Sequence, residues 1–213
     1  MKIRFDNVVP HPFKGSSFHD ESIWGKQQTY ASTEHILLNA TSGKGKTTFT
    51  NVLAGIRNDY DGTIFFDNDN IRSFSDENWA KWRKEKISFV FQDLQLFPQL
   101  TVAENLRLKN RLTDFKTEEI LKNELSILGI DDKWSSKLGH LSMGQQQRVA
   151  IVRALCQPFA WIILDEPFSH LDHDNSLKAF ELIQQNCKKQ EAGFIITTLN
   201  DNTFIDYSLE LKL

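Results

Sequence analysis

A loop that carries lysine and threonine between a predicted strand and a predicted helix has the clearest chemical potential in this chain. The apolar run at residues 36–38 predicts a buried strand, and residues 47–54, followed by Gly55, predict a helix. Backbone N–H groups in such a loop and at a helix N-terminus attract an anion. The sequence therefore predicts a phosphate-binding loop with nine candidate residues: Ala40, Thr41, Ser42, Gly43, Lys44, Gly45, Lys46, Thr47 and Thr48.

The side chains of this loop suit a nucleotide. Lys46 would reach the terminal phosphates, the Thr47 hydroxyl would hold magnesium, and Lys44 adds a second positive charge. Ala40 stands where the pattern GxxxxGK[ST] has its first glycine, and its Cβ enters a tight turn. A surface turn that binds nothing is the alternative interpretation of this loop taken alone.

Polar residues also follow two further predicted strands. Asp165 and Glu166 come directly after the apolar run at residues 161–164, and Gln92 follows the run at residues 87–91. Ligands of open parallel sheets bind at the carboxyl ends of the strands. Two adjacent carboxylates repel each other, which is unfavourable unless a bound cation or a catalytic role compensates. A single glutamine after a strand is often only the polar residue at the strand end. These positions predict a second part of the same site.

Composition limits the class of protein. The chain has 213 residues, 40% hydrophobic and 25% charged, which suits one α/β domain over residues 1–213. A net charge of -3 does not indicate a strongly basic surface, so nucleic acid is not an expected partner. Cys156 and Cys187 lack metal-ligand spacing and are expected to be core residues in a reducing compartment. No apolar run has transmembrane length and residues 1–6 lack a signal-peptide core, so any membrane role requires a partner.

The remaining segments predict two additions to the sheet. Alternating stretches in residues 1–33 predict small antiparallel strands, and residues 61–70 predict a hairpin with its turn at Asn68, Asp69 and Asn70. Phe13 and Phe18 could stack on a base, with a core position as the alternative for each.

Residues from about 93 to 145 predict a helical subdomain inserted into the sheet-based domain. Thr117 predicts a helix N-cap, and Ser142 predicts another. The loop at residues 93–101 is unusually apolar for a solvated segment, which suits a contact surface. Its apolar residues are Leu94, Leu96 and Phe97.

Taken together and in order, these motifs resemble those of the ATP-binding cassette (ABC) ATPases. The matching segments are the phosphate loop, Gln92, Leu141-Ser142-Met143-Gly144-Gln145, Asp165-Glu166 and Ser169-His170-Leu171-Asp172. Within the family, residues 90–105 are similar to the lipoprotein-release, macrolide-export and cell-division subgroup. The resemblance implies an α/β phosphate-loop NTPase core with a mainly parallel sheet, a small N-terminal antiparallel β part and a helical subdomain.

The resemblance also implies a mechanism. Two cassettes, identical or different, would close head to tail on two ATP molecules and drive a transmembrane permease subunit, which holds them at the cytoplasmic face of the membrane. Glu166 and Gln92 would be catalytic, with Glu166 as general base, and Phe13 is the candidate to stack on adenine. Magnesium ligands are implied at Thr47, Gln92 and Asp165. Contacts to the nucleotide of the partner cassette are implied for Ser142, Gly144 and Gln145.

The chain departs from the family at Ala40, at Met143, which replaces a glycine, and at a histidine that the family has after the strand at residues 193–198. Leu199 or Asn200 stands there instead. His170 and His173 follow a different strand and are not expected to replace it. Two functions therefore stay open: an ATP-hydrolysing subunit of a transporter, or a degenerate cassette that binds ATP and acts as a regulatory or structural switch. A soluble two-cassette protein or a kinase or GTPase with a phosphate loop fits the sequence less well.

Overall fold

The computed structural model of the protein describes residues 1–16, 18, 22–39, 45–199 and 204–213. Five predicted phosphate-loop residues lie outside the described residues: Ala40, Thr41, Ser42, Gly43 and Lys44. Asn200, one of the two candidates for the position of the family's histidine, also lies outside them.

The described residues form strands and α-helices in an α/β order. The strands are β1 (Lys2–Pro10), β2 (Gln27–Ala31), β3 (His35–Asn39), β4 (Tyr60–Phe66), β5 (Asp69–Asn70), β6 (Ile87–Val90), β7 (Trp161–Asp165), β8 (Gly193–Thr198) and β9 (Leu209–Lys212). The α-helices are α1 (Lys46–Leu53), α2 (Asp76–Glu85), α3 (Val102–Asn110), α4 (Glu118–Ile127), α5 (Met143–Ala154) and α6 (His173–Gln190).

A parallel sheet in the order β6-β7-β8-β3-β9 forms the centre of the protein. Every residue of β7 and β8 is buried, as expected for strands covered on both faces. The register pairs Asp165 with Thr197, and Asn39 with Thr198. The carboxyl ends of these strands therefore meet at one edge, to which the following loops bring the predicted site residues.

An antiparallel sheet in the order β2-β1-β4-β5 contains the N-terminal strands, as predicted. The predicted hairpin is β4–β5, but its turn lies at Asp67 and Asn68, because Asp69 and Asn70 pair with β4. Gly62 has φ +81°, and a Cβ there would lie 2.4 Å from the carbonyl oxygen of Asn7. The close approach of β1 and β4 at this point requires glycine.

Helices α3, α4 and the first turn of α5 occupy the segment for which a helical subdomain is predicted. Thr101 and Ser142 accept a backbone N–H at N3 and form capping boxes with Glu104 and Gln145, and Thr117 caps α4. The apolar residues of the loop before α3 differ in exposure to solvent. Leu94 is buried in the core, contrary to a surface role, whereas Phe97 is exposed.

Both cysteines lie in the interior, as the sequence predicts. Cys156 and Cys187 are fully buried free thiols, and burial raises the pKa of each to about 12. They pack with apolar residues of α5, α6 and the sheet in one of two core clusters. In the described part of the chain, no helix combines the length and hydropathy that crossing a membrane requires.

Candidate active site

The N-terminus of α1 presents Lys46 to a cleft at the carboxyl edge of the parallel sheet. Gly45 precedes the helix with φ +104°, a left-handed conformation that favours glycine. The Lys46 side chain is 6% exposed, and its Nζ lies 3.4 Å from Oε1 of Glu166. A helix N-terminus with an adjacent lysine offers an anion both backbone N–H groups and positive charge.

The cleft has a volume of about 270 Å³ and brings together residues from five segments of the chain. Its lining residues are Phe13, Gly45, Lys46, Thr47, Thr48, Gln92, Glu166 and Leu199. Seven of these eight were predicted as site residues from sequence. The eighth, Leu199, is 44% exposed and stands where the family has its histidine. The cleft wall is therefore apolar at that point.

The oxygen atoms at the cleft fit a hard cation. The Thr47 hydroxyl donates to Oε1 of Gln92 at 3.2 Å, so a hydroxyl and an amide oxygen lie side by side. Asp165 is buried; its Oδ1 accepts from the Thr197 hydroxyl at 2.5 Å, while its Oδ2 has no hydrogen-bond partner among the described residues. Magnesium takes such oxygen ligands together with water and substrate phosphates, so these residues fit it. No group of three or more His, Cys, Asp or Glu side chains forms a metal site within the described ranges.

Glu166 is held in an unusual backbone conformation. Its φ is +50°, a conformation that costs a non-glycine residue about 1–3 kcal/mol and persists only where the surroundings fix it. The Glu166 N–H donates to the carbonyl and the hydroxyl of Thr197, at 3.1 and 3.3 Å. Its carbonyl accepts from Nε2 of Gln147 at 3.0 Å. Contacts from β8 and α5 thus direct the carboxylate toward Lys46.

The two aromatic candidates have different positions. Phe13 lines the cleft, and a Cβ on Gly45 would lie 2.8 Å from its ring. Phe18 packs against Gly25 and the core of the antiparallel part, which matches the core alternative. The stacking of Phe13 on adenine stays a prediction that this position favours.

The segment from Ser142 to Gln145 forms the start of α5. The described residues that line the cleft all come from other segments, so Ser142, Gly144 and Gln145 do not line the cleft of their own chain. Gly144 has an additional reason to be glycine, because a Cβ there would lie 2.6 Å from the carbonyl oxygen of His170. The roles of these three residues toward a nucleotide stay predictions that require a second cassette.

Sequence reasoning missed two residues of this region. Thr197 contacts both Asp165 and Glu166, and Gln147 holds the backbone of Glu166. His173, which was considered from sequence but not expected to replace the family's histidine, follows β7 and lines a neighbouring cavity of about 400 Å³ together with Glu166 and Leu199. The signal for Thr197 was its position as a polar residue at the carboxyl end of β8, beside Asp165 of the neighbouring parallel strand. Gln147 had no local signal.

Comparisons with known proteins agree with this geometry. The family profile described as ABC transporter matches residues 27–169. The chain is 34% identical over 163 residues to the ABC transporter ATP-binding protein YtrE of Bacillus subtilis (strain 168), covering 75% of this chain and 71% of YtrE. It is 35% identical over 167 residues to the lipoprotein-releasing system ATP-binding protein LolD of Buchnera aphidicola subsp. Acyrthosiphon pisum (strain APS), covering 77% and 73%.

A solved structure gives the same result for the fold. The dimeric structure of MJ0796, a bacterial ABC transporter cassette, superposes with a TM-score of 0.81 at 26% identity. The alignment covers 99% of this chain and 94% of that cassette. The predicted fold class and the resemblance to lipoprotein-release proteins are thereby confirmed. The chain belongs to the ABC transporter family and is an ATP-binding ATPase subunit of a transporter.

Proposed function

We propose that this chain binds ATP and magnesium in the cleft beside Lys46 and hydrolyses the ATP when a second cassette closes over it. The observation that supports this most directly is the convergence of Lys46, Thr47, Gln92 and Glu166 on one cleft. Phosphates entering there would lie at the N-terminus of α1 and beside Lys46. The Lys46–Glu166 ion pair, at 3.4 Å, would break when Lys46 binds the phosphates.

The chain's own groups account for the chemical step. Glu166 accepts a proton from the attacking water, whose oxygen bonds to the terminal phosphorus as the bond to ADP breaks. Lys46 stabilises the charge on the transferred phosphate, and Thr47, Gln92 and Asp165 would hold magnesium. Magnesium, when bound, supplies neutralisation of phosphate charge. The start of α5 in the second cassette, with Ser142, Gly144 and Gln145, would cover the terminal phosphate from the other side.

A transmembrane permease subunit is the proposed partner, which would hold the cassette at the cytoplasmic face of the membrane. The relative LolD is named as the ATP-binding protein of a lipoprotein-releasing system, which supports a role beside other components, and the exposed Phe97 after Gln92 offers an apolar contact. Co-purification from detergent tests the partner: recovery of a transmembrane protein supports it, and recovery of the cassette without one contradicts it.

Leu199 favours a second candidate, a cassette that binds ATP but hydrolyses it slowly. A leucine side chain at the cleft cannot donate a hydrogen bond to the terminal phosphate. Binding would then survive while turnover falls, and the chain would act as a regulatory or structural switch. Turnover with the partner present separates the two candidates.

Substitution of Lys46 tests nucleotide binding. Removing a charge that pairs with phosphate in a buried site costs about 2–5 kcal/mol, so Lys46→Ala should weaken ATP binding at least tenfold. Calorimetry with magnesium measures this, with Lys188→Ala, an exposed lysine of α6, as control. Equal affinity of the Lys46 variant and wild type would contradict the assignment of the cleft.

Substitution of Glu166 tests closure and hydrolysis together. Glu166→Gln keeps the side-chain size but removes the base, so it should accumulate an ATP-bound dimer that wild type forms only transiently. Size-exclusion chromatography with ATP measures the dimer. A Glu166→Gln chain that binds ATP but stays monomeric would mean that closure requires the membrane partner.

A further inference from the structure

The side chain of Gln147 connects α5 to the segment that carries Glu166. It is 2% exposed, and its Nε2 donates to the carbonyl of Glu166 at 3.0 Å and to Oγ of Ser169 at 3.3 Å. Its Oε1 accepts the backbone N–H of His170 at 2.9 Å. A buried amide that bonds through both ends has a fixed orientation, and losing it would leave partly buried backbone groups of Glu166 and His170 unpaired.

A second contact joins the same two segments. Gly144 lies one helical turn before Gln147, on the same face of α5. The close approach of its Cα to the carbonyl oxygen of His170 leaves no space for a side chain. The first two turns of α5 thus contact the turn at residues 169–170 through a backbone approach and through the Gln147 amide.

The contacted segment includes the strained backbone of Glu166. Strand β8 holds the Glu166 N–H through Thr197, and α5 holds the carbonyl through Gln147. These hydrogen bonds thus fix both the N–H and the carbonyl of Glu166, whose φ is +50°. A change in the position of α5 relative to β7 would therefore rotate the carboxylate relative to Lys46.

We propose that Gln147 is a positioning residue for hydrolysis, which sets the orientation of Glu166 according to the position of α5. The proposal rests on the proposed function, in which Ser142 at the start of α5 covers a phosphate bound to the second cassette. Closure on that phosphate would fix the position of α5. Through its hydrogen bond to the Glu166 carbonyl, Gln147 would then fix the orientation of the general base in the same chain. Gln147 itself does not line the cleft among the described residues, so it acts through Glu166.

Replacement of Gln147 by methionine tests this role, because methionine has similar length but cannot make these hydrogen bonds. Gln147→Met should lower kcat about tenfold or more, while the Kd for ATP stays within about twofold. Dimer formation with ATP in a Glu166→Gln background should also persist, because Ser142 and Gly144 are unchanged. A residue with a merely structural role would instead weaken binding, dimerisation and turnover together.

The neighbouring glutamine provides a matched control. Gln146 lies on the same helix, and its Nε2 donates to the carbonyl of Leu141 at 2.9 Å, away from Glu166. Gln146→Met should keep kcat close to the wild-type value. Should Gln147→Met fail to fold, Gln147→Asn, which is one methylene shorter, serves with the same expected separation of kcat from Kd.

The outcomes distinguish this inference from the function on which it rests. Equal kcat for the Gln147 and Gln146 variants, with wild-type ATP binding, would overturn the positioning role and leave the proposed function intact. Loss of affinity with an unchanged kcat would also overturn it. A wild-type chain that neither binds nor hydrolyses ATP would overturn the proposed function, and this inference with it.

Discussion

A buried ion pair lies within the helical segment and is hydrogen-bonded to Asn186 of α6, and breaking the pair is expected to destabilise the protein strongly. Lys116 Nζ lies 2.5 Å from Oε1 of Glu124 and 2.9 Å from Oδ1 of Asn186. The Lys116 and Glu124 side chains are 6% and 7% exposed. Burial lowers the pKa of Lys116, and the nearby Glu124 carboxylate opposes that shift. Glu124→Gln would remove the carboxylate charge and keep the side-chain shape.

The size of the effect follows from the burial. Removing one partner of a buried pair costs about 3–5 kcal/mol, because the other charge stays without compensation. For a domain of this size, each kcal/mol lowers Tm by about 2–4 °C, so Glu124→Gln should lower Tm by roughly 6–20 °C. Replacing both partners, with Lys116→Met and Glu124→Leu together, should cost less than the single change.

Calorimetric or circular-dichroism melting near neutral pH measures these shifts. Glu181→Gln removes an exposed carboxylate from α6 and should change stability by at most about 0.5 kcal/mol. If Glu124→Gln has the same Tm as the Glu181→Gln control, the argument from an uncompensated buried charge is refuted. The same holds if the double variant is less stable than the single variant Glu124→Gln.

Two further predictions concern turnover and pH. Leu199→His should raise phosphate release by about a hundredfold, because it adds a donor at the cleft beside Glu166; unchanged release would show that the site does not need this donor. Burial, with Arg153 nearby, lowers the pKa of Lys109 to about 8, so between about pH 8 and 10.4 the unfolded chain binds more protons and stability rises with pH. Urea unfolding should therefore show Lys109→Met more stable than wild type near pH 7, with the gap narrowing by about pH 10. The exposed control Lys188→Met should show neither effect, and a constant gap for Lys109→Met would contradict the shifted pKa.

Local patterns in the sequence determined the elements and most of the candidate site. The N-caps at Thr117 and Ser142 depend on side chains three residues from the groups they bond, so local sequence is sufficient to find them. The apolar runs that became β6, β7 and β8 are recognisable because strands covered on both faces lack polar alternation. Gln92 and Glu166 could be chosen because they directly follow such runs.

The tertiary structure alone decided how these residues meet. The order β6-β7-β8-β3-β9 brings Gln92, Glu166 and Leu199 to the cleft beside Lys46, and no local pattern encodes strand order. The same order places His173, which follows β7, and Leu199, which follows the neighbouring strand β8, along one cavity with Glu166. The positive φ of Glu166 and the three hydrogen bonds of Gln147 likewise depend on partners 19 to 31 residues away in the chain. Sequence identifies groups with suitable chemistry, but their orientation is fixed by distant contacts that form only when the sheet and α5 pack together.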